Sequence, residues 1–379
     1  MTRRADVAVI GGGIVGLAFA WEAARRGRSV VLFEKSPRPV GASVRNFGMV
    51  WPIGQLPGDG YARALRSRER WLELRDRAGV WVGECGSLHL AHESDEDAVV
   101  REFVAAAGPL GVDCAYLPAD EATKRFPAVR PTELRSALYS PTELVVNPPE
   151  AIARIPQFLT ETYDVVCHFG RAVIGVDMPR LRTAAGENWE ADRVFVCSGA
   201  EFETLFPDTF ASAGLRRCKL QMMKTRPQPQ NWRLGPHLAG GLTLCHYKNF
   251  EVCRSLPILK ARVRETMLEF HRYGIHVMAA QNDRGEVVIG DSHEYDADIS
   301  PFDKPEIDGL ILNYLQDRMV QLPDWTIAAR WHGVYAKHPI EPVVFAEPQS
   351  RCVVVAATGG AGMTLAFGIA RDWWEVNDR

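Results

Sequence analysis

Several features that would assign the chain to a special class are missing from its sequence. No apolar run approaches the ~20 residues that a membrane-spanning helix needs. The formal net charge is −3 at pH 7, so no basic excess indicates a nucleic-acid or membrane partner. Internal repeats and low-complexity tracts are also absent. At 379 residues, an ordinary globular composition favours two domains.

Paired cysteines and metal-binding spacings are missing as well. The eight cysteines are scattered without a C-x-x-C pair, and some stand in apolar runs such as Arg351–Val355, as buried reduced thiols do. Arg3-Arg4 is followed by an apolar stretch that glycines interrupt, without a signal-peptide cleavage site. His89-x-x-His92 has no nearby partner ligands. We therefore predict a cytoplasmic protein that binds no metal.

The N-terminus has the pattern of one strand–helix–strand unit. Asp6–Ile10 and Ser29–Glu34 predict buried parallel strands, and Leu17–Arg26 predicts an alanine-rich helix between them. Gly11–Gly16 joins the first strand to the helix and satisfies G-x-G-x-x-G. This arrangement indicates a dinucleotide-binding unit.

Each motif position of that unit has a physical role. Gly11 permits a tight turn, Gly13 lets the backbone approach a pyrophosphate, and Gly16 allows close helix–strand packing. The phosphates then meet the free N–H groups at the start of the helix. Glu34 ends the second strand and can accept hydrogen bonds from both ribose hydroxyls. These features suit NAD and FAD equally.

Three further observations favour FAD. Only one such unit is present, so no second nucleotide site would deliver electrons from NADPH. Val194–Ala200 predicts a buried strand that ends in a small-residue turn, and Thr358–Thr364 places a glycine turn before the last helix. The start of that helix would stabilise negative charge on the flavin pyrimidine edge. Each turn alone would also suit a purely structural role.

In these segments the sequence resembles the D-amino-acid oxidase, glycine oxidase and sarcosine oxidase family of FAD enzymes. The resemblance covers essentially the whole chain and implies an α/β fold, with a Rossmann-like FAD-binding domain and a discontinuous α+β substrate domain built on a large mixed sheet. It also implies oxidation of small amines or amino acids to imines. The most specific segments are Gly11–Gly16, Glu34, Gly41–Met49, Asn147–Pro149, Cys197–Ala200 and Gly359–Thr364.

Nucleotide-type elements at both ends and a strand-rich middle indicate that one domain interrupts the other. We assign 1–85, 146–214 and 325–379 to the FAD-binding domain, and 86–145 and 215–324 to the substrate domain. Within the middle, Leu242–His246 predicts a strand and Leu259–Tyr273 predicts one helix.

Two segments are most similar to one branch of the family, which is associated with aminophosphonate breakdown. They are Ser43–Met49 and His332–His338. Glycine oxidase-like members carry a carboxylate-binding arginine after a W-x-G turn, where this chain has Tyr335, so the resemblance argues against an ordinary amino-acid carboxylate. Monomeric sarcosine oxidases attach flavin through a cysteine in this region. None lies between Cys253 and Cys352, so we expect non-covalent FAD.

The resemblance and the motifs together nominate the site residues. An acidic substrate group needs charge-assisted donors. Structural roles stay open as well: Arg45 and Asn46 could fix their own loop. Lys337 could be a surface lysine and Tyr335 a core aromatic residue. The candidate substrate contacts are Arg45, Tyr247, His276, Tyr335 and Lys337. The candidate FAD contacts are Gly11, Gly13, Ile14, Val15, Gly16, Glu34, Lys35, Ser43, Arg45, Asn46, Gly48, Met49, Ser198, Gly199, Gly360, Gly362, Met363 and Thr364.

Four functions stay open at this point. The main one is oxidation of 2-aminoethylphosphonate or its N-methyl derivative to phosphonoacetaldehyde, with dioxygen or another electron acceptor. The second is oxidation of a small amino acid such as glycine or sarcosine. The third is oxidation of a 2-hydroxy acid with His246, His276 or His293 as base. The fourth is a flavin-binding subunit without activity, which the ring-facing loop disfavours. No catalytic residue is predicted, because amine oxidation by flavin needs little acid–base machinery.

Overall fold

The computed structural model describes residues 3–296, 299–356 and 358–378. The strands are β1 (Arg3–Ile10), β2 (Val30–Glu34), β3 (Met49–Val50), β4 (Val82–Glu84), β5 (Ser87–Ala91), β6 (Ala115–Pro118), β7 (Ser136–Ser140), β8 (Leu144–Val146), β9 (Val166–Phe169), β10 (Val173–Asp177), β11 (Arg180–Thr183), β12 (Asn188–Val196), β13 (Arg216–Thr225), β14 (His237–Ala239), β15 (Met278–Gln281), β16 (Val287–Gly290), β17 (Glu294–Asp296), β18 (Ile327–Lys337), β19 (Val344–Gln349) and β20 (Cys352–Ala356). The α-helices are α1 (Ile14–Arg25), α2 (Asp59–Ala78), α3 (Ser94–Ala107), α4 (Ala119–Arg125), α5 (Pro148–Tyr163), α6 (Pro207–Ser212), α7 (Leu242–His246), α8 (Leu256–Thr266), α9 (Leu268–Arg272), α10 (Pro305–Tyr314) and α11 (Gly362–Asn377).

The first sheet has a parallel centre in the order β9-β2-β1-β12-β20. Both of its faces are covered, as a parallel sheet requires. Along β1, Val7 and Val9 pack into the core that α1, α5 and α11 share, while Ala8 and Ile10 pack into the core on the other face. The predicted strand–helix–strand unit is therefore confirmed, and β12 pairs with the edge of β1 that faces away from β2.

The second sheet is the large mixed sheet that the sequence predicts. Its nine strands include the path β17-β13-β16-β15-β14-β5-β7-β6, and β18 pairs with the other edge of β13. The pairing of β14 with β5 is parallel, whereas β13 with β18 and β15 with β16 are antiparallel. A small third sheet, β3-β8-β4, is separate from both. Within the described residues, no helix has the length and apolar character needed to cross a bilayer.

One predicted domain boundary is wrong for one element. We assign residue 325 onward to the first domain. However, β18 pairs with β13 along its length, from Lys337 opposite Arg216 to Ile327 opposite Thr225, so β18 belongs to the second sheet. The chain returns to the first sheet only at β19 and β20. The alternating half-buried pattern of β18 fits an edge strand of either sheet, so the local sequence does not identify its partner. The rest of the predicted division stays a prediction.

Two secondary-structure predictions in the middle of the chain are also wrong. Leu242–His246 is helix α7, because Gly240-Gly241 turns the chain tightly against neighbouring side chains. A Cβ at Gly241 would lie 2.1 Å from the Glu96 carboxyl carbon. A short buried segment has no periodicity that separates strand from helix. The predicted single helix Leu259–Tyr273 is divided at Met267, where the Thr266 hydroxyl donates to the Arg262 carbonyl and competes with the helical hydrogen bonds.

Helices α2 and α11 pack closely enough to position the start of α11. The Trp71 indole N–H donates to the Met363 carbonyl at 2.8 Å, and its ring lies 5.2 Å from that of Phe367. The Gly368 N–H donates to the Ser67 hydroxyl at 2.8 Å. Because Met363 is in the first turn of α11, this contact orients the glycine turn that precedes the helix.

We expect Trp71→Ala to lower the free energy of unfolding by about 3–5 kcal/mol, because it leaves a cavity in a fully buried site. Trp71→Phe keeps most of the ring and should cost about 0.5–1.5 kcal/mol for the lost hydrogen bond to the Met363 carbonyl. Val376→Ala, on the exposed side of α11, should stay within about 0.5 kcal/mol. Urea denaturation followed by tryptophan fluorescence measures all three. Equal destabilisation by the Trp71 and Val376 variants would contradict this packing.

Candidate active site

The glycine turn brings three backbone segments into contact. Gly11 has a φ of +113°, and a Cβ there would lie 2.2 Å from the Cys197 carbonyl oxygen of the neighbouring strand. A Cβ at Gly16 would lie 1.9 Å from the Gly11 carbonyl oxygen. Only glycine permits both approaches. The turn therefore joins β1, the end of β12 and the start of α1.

The start of α1 is open toward a ligand. Its N-cap is Gly13, which has no side chain to cap the helix, and the Ile14 N–H donates to the Ser43 hydroxyl at 2.9 Å. The first N–H groups of a helix have no intrahelical acceptor, and they favour an anion. Gly13, Ile14, Val15 and Ser43 all line one cavity.

The Glu34 carboxylate is held in place by two backbone groups. One oxygen accepts the Gly12 N–H at 2.8 Å, and the other accepts the Ser36 N–H at 2.9 Å. Each carboxylate oxygen can accept a second hydrogen bond, so Glu34 can still receive ribose hydroxyls. Lys35 lines the same part of the cavity.

The loop after β2 is fixed by its own side chains. The Asn46 amide donates to the Ala42 and Ser43 carbonyls at 3.0 Å each, and its oxygen accepts the Gly48 N–H at 2.8 Å. The Arg45 guanidinium donates to the His332 carbonyl at 3.1 Å. The structural roles foreseen for Arg45 and Asn46 are thus present, and both residues also line the cavity.

The turn before α11 closes the cavity from the first domain. The Thr364 hydroxyl accepts the Trp51 N–H at 2.9 Å, and a backbone bridge joins Thr358 to Lys337 at the end of β18. In the small-residue turn after β12, the Ser198 hydroxyl donates to the Glu201 carbonyl at 2.7 Å. The cavity-lining candidates from these turns and from β3 are Met49, Ser198, Gly199, Gly360, Gly362, Met363 and Thr364.

Two of the predicted FAD contacts do not line this cavity. Gly16 faces the Gly11 carbonyl, and Gly48, with a φ of +77°, faces the Val146 carbonyl, where a Cβ would lie 2.1 Å away. Both glycines act by allowing close backbone packing beneath the site. The cavity itself has a volume of about 820 Å³ and is lined by both large sheets.

Three histidines meet on the wall formed by the second sheet. His246 ends α7, His276 precedes β15 and His293 follows β16. The ring centroids are 4.0 Å apart for His246 and His276, 4.4 Å for His246 and His293, and 4.9 Å for His276 and His293. The sequence names each of them as a candidate base but does not predict the cluster, because they lie far apart in the chain.

Asp291 is a site residue that sequence reasoning missed. Its carboxylate oxygen lies 3.4 Å from His276 Nε2, and both side chains are buried. Burial raises the pKa of Asp291 well above its ordinary value and lowers the pKa of His246 and His276 well below theirs. Burial also lowers the pKa of His293 to about 3. A signal was available: Asp291 follows a buried strand and precedes His293 by two residues.

Lys337, Tyr335 and Tyr247 complete this wall, and Tyr295 contacts Lys337 from outside it. Lys337 Nζ donates to the Tyr295 hydroxyl at 3.1 Å, and burial lowers the pKa of Lys337. The Tyr335 ring lies beside Gly360, and burial raises its pKa well above the usual range. Tyr247 packs between Trp51 and His276, with centroid distances of 6.4 and 5.9 Å. The structure thus brings Tyr247, His276, Tyr335 and Lys337 to one cavity.

Comparisons with known proteins agree with this architecture. The model of the DAO family, described as FAD dependent oxidoreductase, matches residues 6–373. Glycine oxidase of Geobacillus kaustophilus is 32% identical over 164 residues, which are 41% of this chain and 43% of that protein. The matched segment therefore spans less than half the length of this relative.

Solved structures share the fold over almost the whole chain. L-proline dehydrogenase from P. horikoshii has a TM-score of 0.77 at 19% identity and covers 98% of this chain and 92% of its own. Glycine oxidase from Geobacillus kaustophilus has a TM-score of 0.75 at 20% identity and covers 98% of this chain and 94% of its own. At this identity, the likeness shows the fold.

We expect Gly11→Ala to reduce flavin affinity by at least ~10-fold, which is ~1.4 kcal/mol, because its Cβ would meet the Cys197 carbonyl. The ratio of flavin to protein absorbance after purification and dialysis measures the loss. Gly108→Ala is the matched control, since a Cβ at Gly108 meets no atom within 4 Å and its φ is −57°. Full flavin content in Gly11→Ala would contradict the predicted role of the turn.

Proposed function

Because the chain belongs to the DAO family of FAD-dependent oxidoreductases, we propose that it oxidises a small amine carrying an acidic group. The preferred substrate is 2-aminoethylphosphonate or its N-methyl derivative. The amine becomes an imine, which water hydrolyses to phosphonoacetaldehyde and ammonia or methylamine. The observation that carries the proposal is one cavity that joins the glycine turn to Lys337, Tyr335 and Tyr247.

The residues present fit FAD. Gly11 and Gly13 let the backbone approach a pyrophosphate, the start of α1 supplies free N–H groups, and Glu34 is oriented to receive ribose hydroxyls. When bound, FAD supplies the acceptor for the hydride that leaves the carbon next to the amine nitrogen. Cys197 is the cysteine among the described cavity-lining residues, and burial raises its pKa, which supports non-covalent binding.

The acidic end of the substrate would bind at the Lys337 corner of the cavity. Lys337 supplies a cation that donates to the Tyr295 hydroxyl, and the Tyr335 hydroxyl interacts with Tyr295. Charge-assisted hydrogen bonds from such groups hold an oxyanion more strongly than neutral ones. Tyr335 stands where glycine oxidase-like relatives have a carboxylate-binding arginine, so a planar two-point carboxylate clamp is missing at this position. This difference supports a phosphonate over an amino-acid carboxylate.

The remaining cavity wall suits the carbon chain and the amine. Leu220, Met222 and Met278 line the cavity and are buried. An apolar, water-excluding wall disfavours the charged ammonium form, and the neutral amine is the form that can lose a hydride. These side chains therefore position the reacting carbon and lower the cost of deprotonating the amine. We also propose dioxygen or another carrier as the final electron acceptor.

A second candidate function is oxidation of a small amino acid such as glycine or sarcosine. The 32% identity with a glycine oxidase favours it. A third is oxidation of a 2-hydroxy acid, for which the histidine cluster would supply a base. The free state of all eight cysteines supports the predicted cytoplasmic location.

A substrate panel separates these functions. We expect anaerobic bleaching of the flavin absorbance with 2-aminoethylphosphonate and its N-methyl derivative, and at least ~10-fold slower bleaching with glycine or sarcosine. Their carboxylate is one carbon closer to the amine, so it would not reach Lys337 while the reacting carbon is in place, and a charge-assisted contact worth ~1.5–3 kcal/mol would be lost. Glycolate and lactate test the hydroxy-acid reading. Faster bleaching with glycine than with the phosphonates would transfer the proposal to the amino-acid function.

The Lys337→Met variant tests the anion corner. We expect kcat/KM for 2-aminoethylphosphonate to fall about 10- to 100-fold through KM, because one charge-assisted hydrogen bond is lost. An amine of similar length that carries no acidic group should be oxidised by the variant at nearly the wild-type rate. Lys124→Met, an exposed residue of α4, serves as the matched control. An equal loss of kcat/KM for amines with and without an acidic group would argue against anion binding by Lys337.

A further inference from the structure

The proposed amine oxidation assigns no chemical step to the histidine cluster, yet three separate segments converge to form it. His246, His276 and His293 each offer one ring nitrogen, and these nitrogens all lie within 4.8 Å of one another. His276 and His293 are buried and His246 is partly exposed at the cavity. Such convergence of imidazoles from different elements is how proteins build sites for transition metals.

The hydrogen bonds around the cluster leave ring nitrogens available as ligands. His293 Nδ1 lies 3.2 Å from the Gly274 carbonyl, which can only accept, so Nδ1 carries the proton and Nε2 keeps its lone pair. Both ring nitrogens of His276 are buried and lack a hydrogen-bond partner among the described residues. The neighbouring Asp291 oxygen is likewise unpaired in that part of the chain. Buried polar atoms without a protein partner are places where proteins bind a water, an ion or a ligand, and here they face one another across the cluster.

An anion fits the cluster less well than a cation. An oxyanion needs N–H donors, whereas the N–H of His293 is already directed to Gly274. A metal ion requires imidazole nitrogens with free lone pairs. Both ring nitrogens of His276 lack a hydrogen-bond partner among the described residues, and His293 Nε2 keeps its lone pair.

Lys337 is the group that opposes a cation at this place. Its positive charge lowers the pKa of all three histidines, and the same charge would repel a metal ion. Its Nζ is bound to the Tyr295 hydroxyl, and the Tyr295 ring lies 5.2 Å from it. Asp291, 3.4 Å from His276, supplies the compensating negative charge when a metal is bound.

The geometry points to a binding site for a divalent transition-metal ion, of the Zn²⁺ or Fe²⁺ class, held by His246, His276 and His293 with Asp291 beside it. Three histidine ligands leave coordination positions open, and all three histidines line the substrate cavity. There the ion would contact the acidic group of the substrate; this last role rests on the proposed function, whereas metal binding itself does not.

Metal content tests the site without relying on activity. The flavin-loaded protein is treated with a chelator, dialysed against Zn²⁺ and analysed for zinc and flavin. We expect about one zinc ion per chain, as for a site with three histidine ligands. His276→Asn and His293→Asn should each retain no zinc above background, while flavin content and melting temperature report that the fold is intact. His271→Gln, an exposed histidine of α9, should bind zinc like the wild type.

Two further variants separate a metal from an anion. Asp291→Asn should weaken zinc binding ~10- to 100-fold, as the loss of a partner of a ligating histidine does. Lys337→Met should leave zinc binding unchanged or tighten it, because it removes a repelling charge. Zinc content that is equal in the wild type and in the double variant His276→Asn/His293→Asn overturns the proposal.

The outcomes also distinguish this proposal from the proposed function. A protein that binds zinc but whose flavin bleaches with no phosphonate amine keeps the metal site and loses the function. A protein whose flavin bleaches with the phosphonate amines but that binds no zinc keeps the function and loses the metal site.

Discussion

The approach of Gly11 to the Cys197 carbonyl holds together the part of the molecule on which everything else depends. The distance of 2.2 Å from that oxygen to a Cβ at Gly11 excludes every other residue, so β1, β12 and α1 can meet only with glycine at this point. The meeting places an uncapped helix start, the Glu34 carboxylate and the Ser198–Gly199 turn on the same cavity. The cofactor site is therefore a consequence of backbone packing more than of particular side chains.

The second sheet supplies the polar and titratable side chains of the cavity wall. Strand β18 runs along β13 and then bridges from Lys337 to Thr358, so that Tyr335 and Lys337 lie next to the turn that begins α11. Trp71 fixes the other side of that turn through Met363. Stability and function are linked here, because the same helix packing that buries Trp71 sets the position of the cavity wall.

Desolvation decides the chemical state of that wall. Burial lowers the pKa of the three histidines and raises the pKa of Asp291, so it disfavours charge on these groups as long as no ligand is bound. Neutral imidazoles and a nearby carboxylate suit a metal ion, while Lys337 and the tyrosine hydroxyls suit an oxyanion. The two ligands would neutralise each other, which makes the proposed metal and the proposed acidic substrate compatible in one cavity.

The amino-acid sequence alone predicts the part of the protein that forms the dinucleotide-binding unit. Gly11–Gly16, Glu34 and the turns at Ser198 and Gly360 act through local backbone geometry, which residue type and spacing reveal. The rest follows from the three-dimensional packing: β18 joins the second sheet, Leu242–His246 is helical, and Asp291 and three distant histidines form one cluster. Strand pairing and side-chain convergence depend on contacts between segments far apart in the chain, and no local pattern records them.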